Sequence, residues 1–88
     1  MTSRNLKKVT KILQELGPVL KEQCGLVSCE VGDSTDRVVF TVISDTQQRA
    51  TDAVMRARGI VGQNGCRVIS YHEPSQIRKG WFATITVK

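Results

Sequence analysis

Eighty-eight residues, 40% of them hydrophobic, suffice for one domain around one core layer and leave no length for a second unit. No run approaches the roughly 18 consecutive apolar residues of a membrane-spanning helix, so a membrane partner is not expected. Thirteen Lys and Arg against eight Asp and Glu give a net charge of +5, which favours anionic partners over cationic ones.

Leu6, Val9, Ile12, Leu13 and Leu16 recur at steps of three and four, one stripe of an amphipathic helix. Thr2 or Ser3 is placed to cap its start. Arg4, Lys7, Lys8 and Lys11 fall on its opposite, solvated side. Gly17-Pro18 should interrupt the helix, because proline removes a backbone donor and crowds the preceding turn. Val19 and Leu20 resume the apolar face, so a kink or a second short helix is expected before Gly25.

Leu26 to Val31 alternates, with Val27, Cys29 and Val31 on one side. Gly32 to Asp36 is turn chemistry. Arg37 to Ile43 is rich in β-branched residues, with Val38, Phe40 and Val42 sharing a face. These two segments read as a hairpin. Ser44 to Gln48 supplies a helix start, and Ala50, Ala53, Val54, Ala57, Ile60 and Val61 continue at helical spacing. The alanines predict a helix lying close on a sheet. Gly62 and Asn64-Gly65 end it. Cys66 to Tyr71 reads as a strand, residues 73–76 as a loop, and Gly80 to Val87 as the last strand.

The order α-β-β-α-β-β predicts a single two-layer α+β domain over residues 1–88: a four-stranded antiparallel sheet with both helices on one face. If the last strand pairs beside the 37–43 strand, the layout is a ferredoxin-like sandwich with its first strand moved to the end.

Candidate chemistry is sparse. The three cysteines are an odd number, as expected for free thiols in a cytoplasmic protein, and Met1 to Arg4 begins no apolar signal segment. His72 is the only histidine; it could share a strand face with Cys66, yet no third group orients the pair. Cys24, Cys29, Cys66 and His72 lack the short paired spacing of a zinc site. No glycine-rich phosphate loop is present. The expectation is therefore a binding protein with no catalytic residues, no cofactor and no metal.

Lys79-Gly80-Trp81 matches the first three positions of the RNA-recognition consensus, and then the match fails: Phe82 replaces its small residue, and Ala83 and Thr86 its aromatics. Period two places Trp81, Ala83, Ile85 and Val87 on the core side and Phe82, Thr84 and Thr86 on the open side. Arg37, Val39, Thr41 and Ile43, with Leu26, Ser28 and Glu30, should join that open side. For the third strand, facing Arg67, Ile69 and Tyr71 outward keeps an arginine from the core.

Two readings follow. Arg37, Arg67, Tyr71, Arg78, Lys79 and Phe82, with Lys7, Lys8 and Lys11 and the helix cations Arg49, Arg56 and Arg58, could bind nucleic acid through its phosphates. Alternatively Val39, Ile43 and Ile69 could form an apolar row that docks a protein partner or a second copy, as in a small accessory or viral-type inhibitor. A regulatory small-ligand domain is a third reading, by fold analogy alone.

Overall fold

The protein is described by a computed structural model covering residues 4–34 and 36–88, with side chains from Leu6 onward. The proposed caps Thr2 and Ser3, the Arg4 side chain and Thr35 of the first turn lie outside the described part. Six elements follow in the expected order: α1 (Arg4–Gln23), β1 (Leu26–Asp33), β2 (Val38–Ser44), α2 (Gln47–Gln63), β3 (Val68–Ile77) and β4 (Gly80–Val87).

The strands form one four-stranded sheet in the order β1-β2-β4-β3, every neighbouring pair antiparallel. The last strand thus enters the middle of the sheet beside β2, which is the order set out for the permuted ferredoxin-like arrangement. β2 and β3 run parallel with β4 between them, and α2 makes the crossover. Both helices pack on the same side, and Arg56 Nη1 of α2 donates to Gln23 Oε1 at the end of α1 at 3.0 Å.

The core is built from alternation. Val38, Phe40 and Val42 of β2 and Ala83, Ile85 and Val87 of β4 are fully buried. They meet Leu6, Val9, Leu13 and Leu20 of α1 and Ala50, Ala53, Val54, Ala57 and Val61 of α2. The alanines allow α2 to lie close over β2, β3 and β4, as their spacing predicts. Its N-terminus is capped by Thr46, whose hydroxyl accepts from the Arg49 amide at 3.2 Å, and Asn64 caps the other end.

Three expectations are corrected. First, α1 continues through Gly17-Pro18 as one helix. Gly17 is buried, and a Cβ there would stand 3.5 Å from Cys29 Sγ. Pro18 faces solvent, so the Gln14 carbonyl that loses its helical donor belongs to an exposed residue and can be hydrated.

Second, β1 is out of step at its start. Its register shifts between Leu26 and Ser28. Leu26 therefore faces the core while Val27 is exposed, the reverse of strict alternation. Ser28 and Glu30 do lie on the open side, opposite Ile43 and Thr41.

Third, residues 73–76 are not a loop. β3 runs on to Ile77, paired with β4 through Ser75, Gln76 and Ile77, and only Arg78 and Lys79 make the turn. Pro74 is tolerated because β3 is an edge strand and the register shifts between His72 and Ser75.

Candidate binding surface

The sheet face away from the helices is open, and its register arranges it in transverse rows. The central row reads Glu30, Thr41, Thr84, His72 from edge to edge. On one side of it lies Ser28, Ile43, Phe82, Ser75; on the other, Gly32, Val39, Thr86, Ser70. The threonines of the central row are fixed. Thr84 Oγ1 donates to the Phe40 carbonyl at 3.0 Å, and having one proton it accepts from Thr41 Oγ1 at 3.1 Å.

Beside them, His72 and Phe82 meet edge to face, ring centroids 5.5 Å apart and planes at 70°. His72 Nδ1 lies 2.9 Å from the Glu73 carbonyl, a distance that suits an N–H donor at that nitrogen. Phe82 is part-exposed and His72 exposed.

Cations stand at both ends of this face. The Arg78-Lys79 turn lies at the end where β4 begins, three to four residues before Phe82. It is held by Gly80, whose φ of +136° and contact with the Ser44 carbonyl leave no room for a side chain. At the other end, Arg67 and Lys88 exchange backbone hydrogen bonds at 3.0 and 3.3 Å. Arg67 also lines a shallow cleft of about 260 Å³ with Arg58, above Cys66, that no carboxylate enters.

Among the described residues the only ion pairs are Arg37–Asp36 at 3.3 Å and Arg49–Asp45 at 2.9 Å, so Arg58, Arg67, Arg78 and Lys79 make no ion pair. Arg37 donates two hydrogen bonds to Asp36 that hold this carboxyl below its ordinary range, and Lys88 lies near enough to help hold it down. A further cleft, between the end of α1 and the start of α2, mixes Glu22 and Asp52 with Arg49 and Arg56.

The structure brings together only part of the expected set. Arg67, Arg78, Lys79 and Phe82 surround the open face, and Val39 and Ile43 lie on it. Tyr71 does not: the β3 register shifts between Val68 and Ser70, so Val68 and Tyr71 both turn toward the core and pack against it. Ser70 and His72 take the open positions instead. Ile69 falls on that bulge, 45% exposed and in neither row. The expected apolar row of Val39, Ile43 and Ile69 is consequently broken, with Thr41 and Thr84 between its first two members. Lys7, Lys8 and Lys11 lie exposed on α1, in the opposite layer. Trp81 packs partly against the core, as its alternation predicts. The sequence singles out His72 only for catalysis or metal binding; its place beside Phe82 depends on two register shifts that no pattern in the sequence marks.

Cys24, Cys29 and Cys66 are free thiols. Burial, with Cys24 and Glu30 nearby, pushes the Cys29 thiol up to about 11, and burial also raises Cys66. Cys66 is buried under α2 while His72 is exposed on the open face, so the sheet separates the two. Among the described residues no three His, Cys, Asp or Glu side chains converge as metal ligands, and no helix is long and apolar enough to cross a membrane. Comparison with known proteins finds no family whose pattern this chain matches and no curated protein of similar sequence.

Proposed function

We propose that this protein binds nucleic acid, laying the sugar–phosphate backbone across the open sheet face between two basic ends. One observation carries the reading: Arg78-Lys79 at one end and Arg67 at the other make no ion pair, and a largely hydroxylated face joins them. Phosphate contacts of this kind position a chain without reading its bases. The polar Thr41–Thr84 centre also interrupts the more apolar core that a homodimer interface on this face would bury.

Fluorescence anisotropy with a generic oligonucleotide, repeated from about 50 to 200 mM salt, tests this. Affinity is expected to fall steeply, and an Arg78→Ala/Lys79→Ala variant should flatten the log–log salt slope by roughly 1.4, near 0.7 per lost single-strand phosphate contact. Absence of binding at low salt overturns the reading. So does a dimer in light scattering that persists at all salt concentrations and is lost in Ile43→Asp, which places a second copy on the face.

A further inference from the structure

Building on that reading, we infer that the ligand is single-stranded and that one of its bases stacks on Phe82. A duplex buries its base faces in its own stack and offers a protein its grooves, which admit a helix or a two-stranded ribbon. The open face here is four strands wide, broader than a two-stranded ribbon. What it presents instead is a ring surface. Phe82 sits part-exposed on a central strand, and His72 meets it edge to face, an arrangement that covers a face of only one of the two rings where a parallel stack would cover one of each.

Its neighbours suit one unstacked base. Ile43 and Ser75 flank Phe82 in its row, and the threonine hydroxyls alongside are already engaged with each other and with the Phe40 carbonyl. The surface around the ring therefore offers apolar contact from Ile43 with both threonine hydroxyls already spent, leaving Ser75 as the hydroxyl beside it, and stacking of this kind is sequence-tolerant. The Arg78-Lys79 turn lies three to four residues upstream, at the end of the face where a phosphate next to the stacked base would fall. From Lys79 to Lys88 the strand covers roughly 30 Å at about 3.3 Å per residue, a length for a site of about four nucleotides, the small end of known single-strand sites.

The test measures a single-stranded oligothymidine of about twelve nucleotides and a duplex of equal length, by anisotropy at low salt, with wild type, Phe82→Ala, Phe82→Leu and Phe82→Trp. The single strand should bind at least about tenfold tighter than the duplex. Phe82→Ala should weaken it roughly 5- to 150-fold, the equivalent of about 1–3 kcal/mol for one stacked base, and leave the duplex unchanged. Phe82→Leu keeps an apolar side chain without a π face and should behave as Phe82→Ala, while Phe82→Trp retains binding. Circular dichroism of each variant separates lost stacking from lost folding. Equal affinity for strand and duplex, or a folded Phe82→Leu that binds like wild type, overturns the stacking inference while leaving the phosphate-based reading intact. No binding to either nucleic acid overturns both.

Discussion

Gly80 shows how one residue fixes the geometry of the basic turn. Its φ of +136° is a region that residues with a Cβ rarely adopt, and a Cβ there would run into the Ser44 carbonyl, so strand β4 approaches the end of β2 only because no side chain intervenes. Gly80→Ala is expected to cost about 2 kcal/mol or more, a fall in Tm of roughly 10 °C for a domain of this size; thermal denaturation followed by circular dichroism checks it. An unchanged Tm would mean that the turn relaxes freely, and Arg78 and Lys79 would then not be held where the binding surface needs them. The Thr41–Thr84–Phe40 hydrogen bonds act similarly in the middle of the face, locking two hydroxyls that would otherwise be available to a ligand.

At the scale of elements, α1 is the clearest departure from local rules. A proline inside a helix lacks the donor for the carbonyl four residues back, at about 3 kcal/mol relative to alanine. Yet α1 runs on, because burial of Leu13 and Leu20 on either side of the break outweighs that penalty. Pro18→Ala should therefore stabilise the fold by about 1–3 kcal/mol, a rise in Tm visible in the same thermal assay; a loss of stability would show that proline serves the packing of the helix on β1. This element also shows what the sequence makes legible. Periodicity located both helices and the cores of all four strands, since the stripe of α1 and the alternation of β2 and β4 are each imposed by one buried face. Bulges escape such reasoning. A single inserted residue near Val27, near Ile69 and around Glu73-Pro74 costs little locally, so no residue type announces it, and each one flips the side chains that follow. Tyr71 and His72 exchanged roles for this reason. All three irregularities lie on β1 and β3, the two edges, where they interrupt the regular ladder that another chain could extend.

For the whole molecule, charge is better organised than the net value of +5 conveys. The acids cluster early: residues 26–45 carry Glu30, Asp33, Asp36 and Asp45 against Arg37 alone. Folding pairs Asp36 with Arg37 and Asp45 with Arg49, leaving Arg67 and the two cations of the β3–β4 turn without ion pairs. Those basic residues were legible in the sequence, but their convergence was not, because it depends on β4 returning to the centre of the sheet. Glu30 stays at the β1 edge of the open face. The helix cations Lys7, Lys8 and Lys11 face the other way, which makes the two layers distinguishable in solution. The most direct measurement is a backbone-amide NMR titration of the labelled protein with a single-stranded oligonucleotide. Shifts are expected along Thr41, Ile43, Phe82, Thr84 and the Arg78-Lys79 turn, with Val19 and Met55 on the helices unmoved. Shifts confined to α1 around Lys7, Lys8 and Lys11, with the sheet amides silent, would contradict a ligand on the open face.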